Sequence, residues 1–203
     1  MKKWMLVLFL AALTAVSWSQ EVANVLKFTV KVPPGMFTSP VEDYTVTNAF
    51  GALQDPFHED QDYFHRGVDL VSSKENAPIR AAADGIVTEH WLPPGAVQNG
   101  IVFKGHPAFG GMITITHAYG LITLYAHMSK TFVHEGQRVK KGQIIGIMGM
   151  TGKATGIHLH FEVHGIISGK TTLVSPNSLY TVENLEVLLD PMIFIAPVET
   201  QAQ

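Results

Sequence analysis

Residues 112–125 read Met112-Ile113-Thr114-Ile115-Thr116-His117-Ala118-Tyr119-Gly120-Leu121-Ile122-Thr123-Leu124-Tyr125, two β-branched runs on either side of a turn. In the first run apolar side chains alternate with threonine, the period of two that sets one face against a core. Ala118-Tyr119-Gly120 supplies the turn, so the stretch predicts a β-hairpin. The same pattern recurs outward along the chain in Gly85-Ile86-Val87-Thr88, in Gln143-Ile144-Ile145-Gly146-Ile147 and from His158 to Val163. Lys140-Lys141-Gly142 reads as a second hairpin turn. Short strands punctuated by glycine predict an all-β domain with little helix. Val182 to Leu189 is the one stretch whose apolar spacing suits a helix, of one or two turns. Pro33-Pro34-Gly35 ends an N-terminal segment, and two excursions, about 91–110 and 166–186, leave the scaffold as long loops or small hairpins. The expected layout is a leader over 1–19, an N-terminal segment over 20–40, one domain over 41–196 and a tail over 197–203.

The composition suits that layout. With 203 residues, 46% of them hydrophobic and 15% charged, the chain has enough apolar surface for one compact core. A formal net charge of -3 and a pI near 6.3 offer no basic surface, which excludes nucleic acid as a partner. Lys2 and Lys3 precede an apolar run from Trp4 to Val16, and Ser17-Trp18-Ser19 follows with small residues suited to cleavage, the pattern of a secretory signal peptide. The run is shorter than the ~20 residues a membrane-spanning helix needs. The expectation is an exported protein, periplasmic or secreted from a bacterium, with no stable membrane anchor after cleavage and taken as a monomer. The chain has no cysteine, so disulfides and a lipid-bearing cysteine are excluded. A metal site here must use histidine, aspartate or glutamate.

Ten histidines are available. His158 and His160 are two apart on a predicted strand and so share a face, with Cα atoms ~6.6 Å apart. If His160 ligates a zinc ion at about 2.1 Å, His158 stands just outside the ligand shell, where an imidazole can exchange protons. Asp69 is the one acid in the strand-like run Gly67-Val68-Asp69-Leu70-Val71, and a lone carboxylate among apolar neighbours calls for a cation. His65 lies four residues earlier, and a bend at Gly67 brings it to the same ion. Two histidines and a carboxylate form an open catalytic zinc set. His58, His90, His106, His117, His134 and His164 read as surface or strand-face residues. On pattern alone His127 does not rank above His117, and Glu162 reads either as an orienting group behind a histidine or as a solvated carboxylate.

The ordered set His65-x3-Asp69, Tyr125-Ala126-His127 and Gly156-Ile157-His158-Leu159-His160-Phe161-Glu162 resembles the lysostaphin/LytM-type zinc metalloendopeptidase family. The resemblance runs from about Val46 to Val163 with the closing Leu189-Asp190-Pro191, and includes 82–87 and 136–146. It implies an antiparallel β barrel-sandwich hybrid, with one Zn2+ held by His65, Asp69 and His160 and with His127 and His158 as catalytic histidines. It also implies an enzyme that hydrolyses peptide bonds in bacterial peptidoglycan, at stem-peptide crosslinks or bridges, through a zinc-activated water. Two departures stand out: Ala126 occupies a position where the family commonly has glycine, and Phe50-Gly51 is followed by Ala52-Leu53-Gln54 without the arginine often found there. The alternative is a non-catalytic member of the same fold that binds cell wall or activates another hydrolase. The intact set of five residues favours the enzyme. Gly136 to Gly149 also resembles the hairpins of biotinyl or lipoyl carrier domains, but their Met-Lys-Met setting is missing.

Overall fold

A computed structural model describes residues 5–10, 27–54, 62–175 and 178–195. The leader and tail expected from the sequence therefore lie largely outside the described residues. So does His58. Of the first twenty residues only β1 (Met5–Leu10) is described, paired antiparallel with β2 (Lys27–Val32). The domain then runs through β3 (Tyr44–Asn48), β4 (Gly51–Gln54), β5 (Asp62–His65), β6 (Val68–Ser72), β7 (Pro78–Arg80) and β8 (Gly85–Trp91). A small hairpin, β9 (Val97–Gln98) and β10 (Ile101–Val102), precedes β11 (Gly111–His117) and β12 (Leu121–Met128). The chain closes with β13 (Lys130–Thr131), β14 (Arg138–Val139), β15 (Ile144–Ile147), β16 (Leu159–Ser175), β17 (Ser178–Leu189) and a four-residue helix α1 (Met192–Ile195).

Every pairing is antiparallel. The main sheet has the order β14-β8-β11-β12-β16-β6-β3, with β17 added on β16, and a three-stranded sheet has the order β13-β15-β7. The end strands of the main sheet do not pair with each other, so among the described residues there is no closed barrel. One core joins the two sheets: Ile79 and Ile145 from the small sheet pack in the same cluster as Val87, Ile113, Ile115, Tyr125 and Phe161 from the large one. The alternation in 112–116 does what its period requires. Ile113 and Ile115 are fully buried while Thr114 and Thr116 are half-buried. The turn after β11 is a short 3-10 segment with Tyr119 at φ 63 and Gly120 at φ 68.

Two expectations need correction. Val182 to Leu189 is strand, not helix, because β17 pairs with β16 from Val163↔Leu189 to Ser175↔Ser178. That pairing makes the excursion over 166–186 part of a long two-stranded arm, the hairpin form of the two expected for it. Lys140-Lys141-Gly142 does not close a hairpin: β14 pairs with β8, whereas β15 pairs with β7 and β13, so the turn passes the chain from one sheet to the other. The excursion over 91–110 holds an Asn99-Gly100 turn with φ 51 and φ 77, the backbone of a two-residue hairpin. Its end packs over β11 and β12, where Phe109 meets Met112, Leu124 and Ala126. Among the described residues no helix is long and apolar enough to cross a membrane.

Candidate metal centre

Asp69 and His160 face each other across the β6–β16 ladder. Their closeness depends on Gly67, where a side-chain carbon would lie 2.9 Å from the carbonyl carbon of Phe161 and 3.0 Å from the Glu162 side chain. Only a residue without Cβ lets β6 approach β16 this closely. His65 ends β5, and the intervening Arg66-Gly67 turns the chain so that residues 65 and 69 meet. His65 Nε2 lies 3.2 Å and His160 Nδ1 2.9 Å from Asp69 Oδ1, and the two ring nitrogens are 3.0 Å apart. All three residues are buried.

The other ring nitrogens fix the tautomers. Carbonyl oxygens only accept, so His65 Nδ1–H donates to Ala49 O at 2.9 Å and leaves the Nε2 lone pair facing the cluster. His160 Nε2–H donates to Glu162 Oε1 at 2.9 Å, which leaves the Nδ1 lone pair facing inward. Asn48, opposite Asp69 on β3, donates from Nδ2 to Oδ2 at 2.8 Å, so Oδ1 is the oxygen turned toward the imidazoles. With both rings in these neutral tautomers three lone pairs converge on one point, an arrangement that needs a cation between them, either a proton on His160 Nδ1 shared with Asp69 Oδ1 or a metal ion in its place. Ligand atoms about 2.0–2.2 Å from a tetrahedral ion stand roughly 3.3–3.5 Å apart, close to the spacing here. The donor set therefore fits a zinc-like ion with one corner open to solvent.

His127 and His158 stand beside this cluster, with ring centroids 4.7 Å apart and His127 5.9 Å from His160. His158 Nδ1–H donates to Gly156 O at 2.9 Å, and its Nε2 lies 3.6 Å from Asp69 Oδ1. His127 is placed by a bulge: Tyr125 faces Ile113 and Met128 faces Gly111, so Ala126 and His127 together oppose Met112. A bulge re-aims a side chain, and here it holds His127 at φ 61, a conformation that a residue with a side chain adopts only when its surroundings enforce it. Thr151 is the clamp. Its carbonyl accepts His127 Nδ1–H at 2.7 Å, its hydroxyl donates to Met128 O at 2.8 Å, and the same oxygen accepts Gly111 N–H at 2.9 Å.

Burial and hydrogen bonding set the charges. Burial alone would raise the Asp69 carboxyl, but hydrogen bonds from His160, His65 and Asn48 outweigh it and hold the group far below the usual carboxylate range. Burial, reinforced by His158 and His160 against the Thr151 carbonyl, pushes His127 down to about 4. It is therefore a neutral proton acceptor at neutral pH. Burial also opposes a charged His160, yet Asp69 and Glu162 lift it to about 9. The same bonds, from His160 and His164, bring Glu162 to about 2 against its burial.

The five side chains lie on a groove of about 740 Å³, walled by Asn48, Tyr63, Phe109 and residues 152–155. Phe109 stacks on His160 with centroids 5.8 Å apart, so the excursion over 91–110 forms one wall. The sequence reading did not identify Asn48, Phe109 or Thr151, which carry no local signal, and it left Glu162 between two roles. Glu162 is in fact buried between His160 and His164. His117, read as a surface or strand-face residue, is buried between the Asp84 carbonyl and Thr123 Oγ1.

Residues 63–176 match the model of Peptidase family M23. The chain is 39% identical over 99 residues to the DD-carboxypeptidase/endopeptidase Mpg of Neisseria meningitidis serogroup B, across 48% of this chain and 19% of that protein. It is 34% identical over 106 residues to the peptidoglycan DD-endopeptidase ShyA of Vibrio cholerae serotype O1, across 52% and 21% respectively. The match thus spans about a fifth of the length of these curated relatives. Among solved structures, a zinc containing peptidase from Vibrio cholerae superposes with a TM-score of 0.52 at 32% identity, over 63% of this chain and 36% of that one. The catalytic domain of lysostaphin from Staphylococcus simulans superposes with a TM-score of 0.50 at 26% identity, over 74% and 91%. The matched segment covers more than half of the sequence and holds all five clustered side chains, so the chain belongs to peptidase family M23.

Proposed function

We propose that this chain is a zinc-dependent endopeptidase that hydrolyses peptide bonds in bacterial peptidoglycan, at stem-peptide crosslinks or bridges. The observation that carries the reading is the convergence of three metal-ligating side chains, His65, Asp69 and His160, beside two more imidazoles in an open groove. Membership of the M23 family and the similarity to proteins described as peptidoglycan DD-endopeptidases support the substrate class. In this proposal His65, Asp69 and His160 hold one Zn2+, which when bound supplies Lewis acidity to the scissile carbonyl and to the attacking water.

The chain's own residues do the rest. His127 and His158 have each committed Nδ1–H to a backbone carbonyl, so both begin with an Nε2 lone pair available to accept a proton. The ring that takes the proton of the attacking water then carries Nε2–H, and it can donate to the developing oxyanion or protonate the leaving amine. Thr151 holds His127 in its enforced backbone conformation, and Asn48 keeps the Asp69 carboxylate turned toward the cluster. Burial beneath Phe109 and among the strands limits the water around the donors, which strengthens each electrostatic contact. The leader-like sequence over 1–19 fits export to the compartment where such a substrate lies.

The test is incubation of the purified protein with peptidoglycan, followed by mass spectrometry of the released muropeptides. New peptide termini that a chelator abolishes and zinc restores are expected. Peptidoglycan left uncut by the zinc-loaded protein, with zinc still bound, would favour the non-catalytic wall-binding alternative.

A further inference from the structure

His160, Glu162 and His164 occupy alternate positions of β16 and so share one face of the strand. Glu162 is 1% exposed, and each of its oxygens is used. Oε1 meets His160 Nε2 at 2.9 Å, and Oε2 meets His164 Nε2 at 2.6 Å, the latter in the range of a charge-assisted hydrogen bond. A carboxylate that accepts from an imidazole on each oxygen is in its ionised, acceptor-only form. Among the described residues no lysine or arginine pairs with it. Taking such a charge out of water is costly unless a full opposite charge offsets it, and a proton on His160 can serve only until that ring gives its Nδ1 lone pair to a metal ion.

The place for that counter-charge lies one ring away. The face of His160 opposite Glu162 is the Nδ1 edge that meets Asp69 and His65. A dication among those donors, with Asp69, Glu162 and neutral imidazoles, gives a net charge of zero; without Glu162 the centre is left at plus one. We infer that Glu162 is the second anion of the metal centre, a positioning residue that acts through His160, with His164 locking its far oxygen. Glu162 thus does two jobs. It fixes the His160 tautomer so that Nδ1 presents a lone pair to the ion, and it balances the ion's charge from a position that is itself sealed from solvent. This inference rests on the reading of the cluster as a zinc centre.

Two substitutions separate charge from shape. Glu162→Gln keeps the length and the acceptor toward His160 but loses the charge; Glu162→Asp keeps the charge but shortens the reach. Zinc affinity is measured on the full chain by competition with a chromogenic chelator, alongside thermal unfolding of the metal-free forms. Glu162→Gln is expected to bind zinc roughly 10–100-fold more weakly, while its metal-free form, less stable for the loss of this anion, still unfolds in one cooperative transition. Glu162→Asp is expected to retain more affinity than Glu162→Gln. Zinc binding by Glu162→Gln within twofold of the parent overturns the assignment, as does a ranking in which the glutamine variant binds more tightly than the aspartate variant. If neither variant folds, nitrogen-15 NMR of the zinc-loaded parent decides: a protected Nε2–H on His160 is expected, and its absence refutes the relay. A parent protein that binds no zinc would instead defeat the metal-centre reading itself.

Discussion

Replacing Gly67 by alanine should unseat the metal centre from a distance, without touching a donor atom. The added carbon would sit 2.9 Å from the Phe161 carbonyl carbon, whereas ordinary contact begins at 3.4 Å, so β6 must retreat from β16 by at least 0.5 Å. Metal bonds tolerate departures of only about 0.2 Å. Gly67 immediately precedes β6, and Asp69, two residues on, lies directly opposite His160, so the displacement reaches the donors more than twice over that tolerance. Overpacking of this kind costs about 1–3 kcal/mol, which for a domain of this size lowers the melting temperature by about 2–12 °C. Zinc affinity should fall by at least tenfold, of the order seen when supporting contacts around a metal are lost. Chelator competition and calorimetry on parent and Gly67→Ala proteins, each with and without zinc, measure both effects. Unchanged zinc affinity together with an unchanged melting temperature would refute the claim that a missing side chain sets the spacing of these strands.

Other consequences are as open to measurement. The purified protein should hold one zinc ion, and chelation should stop the release of new amino groups from peptidoglycan, as metal analysis and amine assays will show. Asp69→Ala should lose metal and activity together, whereas His158→Ala should keep its zinc and lose turnover by about 10²–10⁴-fold; retained cleavage would remove His158 from the mechanism. Chelated protein should be most stable near pH 6.5. His127, held at about 4, stays neutral while the unfolded chain protonates, so stability falls as pH drops from 6.5 to 4. His160, raised to about 9, contributes fully below pH 6.5 and loses that contribution as pH rises through 9. Denaturant midpoints taken from pH 4 to 9 check this, and a midpoint still climbing at pH 9 contradicts it. Thr151→Val, which deletes the hydroxyl that ties Met128 to Gly111, should lower kcat more than it raises KM by loosening the bulge under His127.

Much of the fold could be read locally. The alternation in 112–116 and the glycine-bearing turn at Ala118-Tyr119-Gly120 define a hairpin from nearest neighbours alone, and the structure keeps it. The arm over 159–189 could not be read that way. Val182, Leu185, Leu188 and Leu189 fit a helical stripe as well as a strand, and only pairing with β16 selects the strand. The same contrast holds at the site. His158 and His160 announce themselves by spacing, whereas Asn48, Thr151 and Phe109 belong to residue types found throughout any chain and gain their role from position.

What the sequence alone determined is the supply of side chains and the period of two that aligns His160, Glu162 and His164 along one strand. The tertiary structure decided the register, which sets Asp69 opposite His160, and the bulge, which turns His127 inward. It also decided the neighbours, which occupy one nitrogen of each imidazole and turn the other toward the groove. The physical reason is range: backbone period is a property of adjacent residues, whereas register, burial and tautomer are fixed by atoms that are distant in sequence and meet only when the sheets close over a shared core.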